Sequence, residues 1–595
     1  MRINRVAEET PAIVCPRPPG ATVAGLIGDE RLSRRPWTRP EKFAHTGRHG
    51  RRPGFPDRSK QLIPAMSDLA HLADAPPPDD ADTYDLVPYA SYSYPQTHPR
   101  WLGVMGSLFG LDPPDPARAR VLELGCASGG NLIPIAALTP ETTCLGVEMS
   151  QRQVDAGRAD IAALGLGNVR LERMSIAEVT PDLGTFDYII CHGVFSWVPA
   201  ETRKHILRVA KENLAPQGIA YVSYNTLPGW NAVRSLRDMM LYHSAQFADP
   251  AQRVKEAVTM LQFVLNGLGT EDSAWRKTVE TELNLLKSRG HEYIFHDHLE
   301  TENTPVYLHE FMAMATERGL RYFGDSALAT MYLGNLPAQV SGPLGQVRDI
   351  VRREQYMDFV RNRRFRQTLL VHAARTPKFD VDPGRVCDFH LTSANLAPDF
   401  DAATDPMTDD RPRSFGKGVA SANNRYAAAL FVVLHEQGNF PIAAARLIAR
   451  AAERLRIADT APVRAALVNV GLRMIYAGRL RLHAGPYPGV AEISERPRVW
   501  DYARRQAASR ATVTTQRHDT TTIPDVAREL AQLLDGTRTV PEAAAGLWLR
   551  VKDRGLQLND AEGKPLTEET AARKELEQRT TMLVRWFRDQ ALLAA

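Results

Sequence analysis

From residue 121 onward, short apolar runs alternate with amphipathic stretches. VLELG (121–125), TTCLGVEMS (142–150), VRLERMS (169–175), FDYIICHGV (186–194) and IAYVSYNT (219–226) read as strands. Their near-continuous apolar character is that of strands covered on both faces. Between them, Gly130–Leu138, Arg152–Leu164 and ETRKHILRVAKENL (201–214) repeat apolar residues three or four apart, the helical period. Such alternation predicts a doubly wound, largely parallel α/β sheet.

After residue 230 the period becomes purely helical over 231–247, 250–268 and 273–288. A strand–helix–strand rhythm returns in 294–325. The expected division is a first domain over 83–230, a helical insertion over 231–290, and a segment over 291–333 that completes the sheet. A middle domain is expected over 334–415. Its run VRRE…RNRRFRQ reads as the solvated face of one helix. Residues 416–595 are Ala-rich and helical. Within them AAALFVVL (427–434) reads as a buried helix and GRLRLH as a short strand, an order that recurs over 526–560. Helix pairs followed by a short strand suggest winged-helix-like modules. In the last helix Leu583, Trp586, Phe587 and Leu592 form a stripe expected in an intramolecular core.

Charge sharpens the boundaries. Residues 1–65 hold 13 Lys/Arg and 6 Asp/Glu, so the chain's net charge of +4 leaves the body 66–595 at −3. A body of that sign argues against a nucleic-acid partner. The segment 1–82 reads as a disordered extension ending in the linker APPPDDAD (75–82), with translation expected to begin at Met66. No apolar run reaches the roughly 20 residues that span a bilayer. The five cysteines are scattered without CxxC pairs, which fits a reducing, cytoplasmic location and no structural zinc.

The stretch VLELGCASGGN (121–131) runs a strand into a glycine turn, the mark of a nucleotide-like ligand. The phosphate loop GxxxxGK[ST] is absent. The dinucleotide pattern GxGxxG fits only at Gly125 and Gly130, with Ala127 where a pyrophosphate needs glycine. S-adenosylmethionine (AdoMet) has no phosphate and makes no such demand. Glu123 can anchor its cationic methionine portion. Gly125, Gly129 and Gly130 are expected to leave it room, and amides of the next helix start to meet its carboxylate. Glu148, ending the second strand, can bind the ribose hydroxyls, with Met149 beside it.

Together with LGVEMS, FDYIICHGVFSWVP and YVSYNTLPGW, this turn resembles class I AdoMet-dependent methyltransferases. Further segments resemble the bacterial group carrying a methyltransferase regulatory domain. These are YDLVPYASYSYPQTHP (84–99), HDHLETENTPVYLHEF (296–311) and NRRFRQTLLVH (362–372). The group includes rickettsial protein-lysine methyltransferases that act on an outer-membrane protein. The resemblance covers roughly 84–375 and, more weakly, the rest. It implies a Rossmann-like class I methyltransferase fold with a helical insertion serving regulation or homodimerisation, and largely helical C-terminal domains. It also implies AdoMet as cofactor, with Glu123, Gly125 and Glu148 as contacts. Ser175 stands where many relatives place Asp, and its hydroxyl accepts a bond from the adenine amine more weakly.

Methyl transfer needs a neutral nucleophile held in line about 3 Å from carbon. The candidates lie after strands four and five: His192 and Trp197, then Tyr224 and Asn225, with Trp230 beyond. Gln96, Tyr94 and Thr97 arrive from the preceding segment, which can fold over the cofactor as a lid. Such an aromatic set, in a chain with only 7% aromatics, suits a lysine stem and its ammonium. Packing of Trp197 and Trp230 between sheet and insertion is the competing reading. His296 and His298 alternate along an expected strand. A buried or dimer-contact role is preferred for them over a general base, and no metal is expected. Protein lysine leads as acceptor, beside a small molecule or tRNA. A non-catalytic AdoMet-binding regulatory protein is the rival class.

Overall fold

The computed structural model describes residue 87 and residues 89–393, 396–438, 440–486, 489–553 and 568–594. The expected extension and linker over 1–82, and the end of the second helix–strand repeat at 554–560, lie outside the described residues.

Five strands form where the apolar runs predict them: β1 (Arg120–Leu124), β2 (Thr143–Glu148), β3 (Val169–Arg173), β4 (Phe186–Cys191) and β5 (Leu214–Asn225). Two more, β6 (Leu320–Asp325) and β7 (Phe365–His372), complete a seven-stranded sheet in the order β3-β2-β1-β4-β5-β7-β6. β7 runs antiparallel to both neighbours; the pairs among β1–β5 are parallel. The strand order reverses between β1 and β4, where open α/β sheets bind ligands beyond their carboxyl ends. The helices are α1 (Pro99–Leu108), α2 (Leu132–Leu138), α3 (Gln151–Ala163) and α4 (Ala200–Glu212), followed by α5 (Trp230–Ser244), α6 (Pro250–Gly267) and α7 (Ala274–Lys287). Then come α8 (His291–His298), α9 (Leu308–Glu317) and α10 (Ile350–Arg361).

Four expectations are corrected. The expected strand holding His296 and His298 is helix α8. All of Ile294–His298 is buried, so neither an alternating nor a helical pattern shows in the sequence. The insertion accordingly extends to α8, whose Ile294 and Phe295 join Leu236, Met240, Leu261 and Leu283 in one apolar cluster. The sheet runs past the expected boundary at 333, because β7 lies between β5 and β6. The Arg-rich run is not one solvated helix face. It spans α10 and β7, and Arg366 is fully buried, donating to Asp358 (2.7 and 2.9 Å) and Glu354 (3.1 Å). Two of its carboxylate partners come from α10, one helical turn apart, and the third, Asp325, ends β6, so the sequence shows only separated charges.

The chain from 390 to 483 forms a further layer. His390–Ser393 pairs antiparallel with Ile442–Ala443 and Leu480–His483. The helix Arg425–Gln437 buries every residue of Ala428–Leu434. Phe415 packs on Phe431, ring centroids 5.0 Å apart, so the expected boundary at 415 falls inside this unit. Residues 498–594 close the chain with the helices Asp501–Ser509, Asp525–Leu533, Val540–Asp553 and Glu569–Asp589 and the hairpin Thr512–Thr514/Thr520–Thr522. Leu583, Trp586, Phe587 and Leu592 are buried in its core.

Candidate active site

The turn after β1 is shaped by backbone rather than by side chains. Gly125, Ala127 and Gly129 all take positive φ (71°, 47° and 74°), which glycine adopts freely and alanine does not. Ala127 is held there by its N–H, which donates to Glu148 Oε2 at 2.9 Å. Glu148 Oε1 accepts from the Met149 and Ser150 amides at 2.8 and 3.1 Å, so this carboxylate ties β2 to the turn. Met149 is 52% exposed beside it. On their Cβ side the glycines let neighbouring protein approach closely. A Cβ on Gly125 would meet Val194 at 2.6 Å, and one on Gly130 would meet the Ser91 carbonyl at 2.6 Å. The amides of Gly125, Cys126, Gly129 and Gly130 are likewise bonded within the chain. An acid lies beneath the turn.

That acid is Glu123, buried on β1. Oε1 accepts from Asn131 Nδ2 at 2.8 Å, while Oε2 is buried without a hydrogen-bond partner. Burial pushes its pKa up to about 8 against the opposing Asn131 bond. Asn131 also gathers the lid: its Oδ1 accepts from the Tyr94 amide at 3.1 Å, and its Nδ2 lies 3.0 Å from Thr97 Oγ1. Ser91 Oγ accepts from Gly130 N–H at 2.8 Å, and the Tyr89 carbonyl accepts from Gln153 at 3.0 Å. Gln96 lies in this strap, its carbonyl bonded by Ser326 Oγ at 2.6 Å.

Strand alternation decides which candidates after β4 and β5 meet. Tyr221, Ser223 and Asn225 share one face of β5, Tyr224 the other. His192 Nδ1 lies 2.9 Å from Tyr221 Oη and 3.2 Å from Ser223 Oγ, with the Tyr94 ring 4.0 Å away. Burial lowers the imidazole pKa to about 3, so it is neutral at physiological pH. The Asn225 amide donates to Ser196 Oγ at 2.9 Å, and its side-chain Nδ2 is buried without a partner. Tyr224 is 1% exposed, stacked on Phe311 at 4.3 Å with its hydroxyl 2.9 Å from Thr368. It is a core residue and cannot reach an acceptor, which corrects its expected role.

Trp197 meets Trp230 edge-on at 6.3 Å, and Trp230 Nε1 donates to Asn303 at 2.7 Å. The Arg237 guanidinium lies 5.3 Å from the Trp197 ring centre, held by the carbonyls of Asp297 and Glu300. One side of the ring therefore faces a cation from the insertion. Ser175 caps a short turn, its hydroxyl accepting from the Ala177 amide at 3.3 Å. His296 pairs with Glu300 (2.8 Å) and His298 with Glu282 (3.1 Å), in separate contacts. Among the described residues no group of three or more His, Cys, Asp or Glu could hold a metal. Asn131, Tyr221 and Ser223 were missed in the sequence. The alternation of IAYVSYNT carried the signal for the last two.

Three family models match the chain: a methyltransferase domain over 121–218, a predicted methyltransferase regulatory domain over 290–372, and the C-terminal winged helix domain of PKMT over 495–592. The structure of PKMT2 from Rickettsia typhi, solved in complex with AdoHcy, superimposes with a TM-score of 0.78 at 30% identity, covering 85% of this chain and 100% of that one. An uncharacterized protein of Rickettsia prowazekii is 35% identical over 86% of this chain and 94% of its own length. The chain belongs to this family of AdoMet-dependent methyltransferases. A second uncharacterized R. prowazekii protein, 37% identical, matches 40% of the methyltransferase and 94% of its own length. The orphaned acid oxygen of Glu123 fits a cofactor that brings a cation.

Proposed function

We propose that this methyltransferase transfers the methyl of AdoMet to a protein lysine, with Glu123 and Glu148 holding the cofactor. The observation that carries the acceptor is the likeness to PKMT2 through the catalytic and winged-helix domains alike. Glu123 Oε2 would take the cofactor's ammonium, and Glu148, with an acceptor site left on Oε2 beside the Ala127 amide, would take a ribose hydroxyl. Met149 and Ser175 would flank the adenine, and Gln96 would close over it from the lid. AdoMet supplies an electrophilic methyl on a sulfonium.

The protein's part is binding, alignment and exclusion of water. His192, neutral, orients the site through hydrogen bonds and takes up no proton near neutral pH. Asn225, with a donor to spare, would position the acceptor amine, and Trp197 would line its stem. A homodimer through the insertion is part of this reading. Exposed Tyr242 and Phe263 support it, and sedimentation would test it. A cytoplasmic location is also proposed, on the buried thiols of Cys126, Cys144 and Cys191, and fractionation would test it.

The deciding experiment is transfer of radiolabelled methyl from AdoMet into a lysate, fractionated into protein, RNA and small molecules. Label in protein, released as methyl-lysine on hydrolysis, is expected. Label confined to the other fractions rejects the lysine acceptor. For the cofactor assignment, Glu123→Gln should weaken AdoMet binding, and wild-type affinity in that variant would sink it.

A further inference from the structure

The C-terminal domain reaches the cofactor site. Its hairpin Thr512–Thr514/Thr520–Thr522 carries at its tip His518, which is buried and has φ +64°. His518 Nε2 lies 2.7 Å from Asn131 Oδ1, a contact across 387 positions of sequence. Around it, Arg510 Nη1 donates to the Ser91 carbonyl at 3.2 Å, and the His98 ring meets His518 edge-on at 4.7 Å. Ile133, on the helix that follows the glycine turn, is buried within the apolar core of this C-terminal domain. The hairpin is thus packed on the turn, not merely near it.

We infer that His518 is a positioning residue of the AdoMet site: its Nε2–H fixes the Asn131 carboxamide so that Nδ2 faces Glu123. The hydrogen-bond inventory requires this orientation. Asn131 Oδ1 receives the Tyr94 amide N–H as well as the imidazole, and only an oxygen can accept both. The opposite end of the carboxamide must then be the N–H donor, 2.8 Å from Glu123 Oε1. His518 must be the neutral Nε2–H tautomer, and its Nδ1 is buried without a partner. Burial holds the imidazole pKa near 3, which keeps that tautomer neutral across the working range.

Removing the imidazole takes one of two N–H donors from Asn131 Oδ1 and leaves the Tyr94 amide to hold it alone, so the carboxamide is less firmly set and its bond to Glu123 is made less of the time. A buried carboxyl without that donor binds its proton more tightly, so a cationic cofactor must displace it at greater cost. The charged and titratable groups facing these residues are few. Glu148 and the thiols of Cys126, Cys144 and Cys191 face Glu123, and His98 faces His518. A domain at the far end of the chain therefore sets the strength of the cofactor site.

The inference rests on Glu123 as a cofactor contact, which Glu123→Gln tests separately. Its own test is the AdoMet dissociation constant of full-length His518→Leu and His518→Gln between pH 6 and 9. Leucine should weaken binding about tenfold at pH 7, as for one buried hydrogen bond. It should also move the pH dependence to higher pH and leave kcat at saturating AdoMet within about twofold. Glutamine, whose amide N–H2 can reach Oδ1, should restore most of the affinity and the wild-type profile. Wild-type affinity in His518→Leu overturns the inference, as does equal weakening in both variants with an unmoved profile. Nitrogen NMR of the wild-type imidazole decides the matter even if the leucine variant does not fold. A neutral Nε2–H signal from pH 5.5 to 8 is expected, and an Nδ1–H or protonated ring overturns the inference.

Discussion

Asn131 Nδ2 lies 2.8 Å from Glu123 Oε1, while the other oxygen of that carboxyl is buried with no partner. One oxygen is spoken for by the protein and one is left for a ligand or a proton.

This division predicts proton release on cofactor binding. With its pKa raised to about 8, Glu123 is mainly protonated at pH 7 in the free protein. A cofactor ammonium beside Oε2 favours the carboxylate, so the proton leaves as AdoMet binds. Affinity should rise about tenfold per pH unit up to pH 8 and level off above it. Calorimetry at pH 7 in buffers of different ionisation heat should detect close to one proton released. The linkage to folding has the matching sign. A raised carboxyl stabilises the fold at low pH, and that contribution is lost as pH rises from about 4.5 through 8.

The Arg366 cluster predicts a stability defect far from the cofactor. Arg366 is fully buried among Asp358, Glu354 and Asp325, and together with Arg363 its charge holds these three carboxyls inside. Arg366→Met should destabilise the protein by about 3–5 kcal/mol, because it strands buried charge. Urea denaturation measures this. Adding Asp358→Leu to that variant should restore part of the loss.

How far the sequence reveals this molecule follows from which patterns survive burial. The first five strands were legible because continuous apolar runs have no other use there. Glu123 and Glu148 were legible because carboxylates at strand ends beside a glycine turn are hard to place otherwise. β7 and α8 were not, since their buried Arg and His pair with carboxylates from other segments and mimic surface. The role of Asn131 lay hidden because its partners come from residues 94, 123 and 518. No local pattern links those positions.

Tyr221 and Tyr224 sit three apart on β5 and point to opposite faces, so one substitution separates them. Tyr224→Phe removes only the bond to Thr368 and should cost about 1 kcal/mol of stability with kcat unchanged. Tyr221→Phe removes the hydroxyl 2.9 Å from His192 Nδ1 and should lower kcat/KM on the order of tenfold. Steady-state kinetics beside thermal melts decide this. A large kinetic defect in Tyr224→Phe would return that residue to the site.

Histidines with lowered pKa predict acid sensitivity. His192, His298, His483 and His518 each have a pKa lowered to about 3, with burial the largest cause. In the unfolded chain each titrates near 6.5. Above that value none of them costs stability. As pH falls from 6.5 toward 3, the unfolded chain takes up protons that the folded one refuses. Each site then removes up to about 1.4 kcal/mol per pH unit. The melting temperature should therefore be flat from pH 7 to 8 with respect to these groups and fall steeply below pH 6. His98 is lowered by burial as well, so His483→Gln, which lies outside the cofactor site, should reduce the histidine part of that fall by about a fifth. An unchanged slope in His483→Gln would remove that histidine from the account.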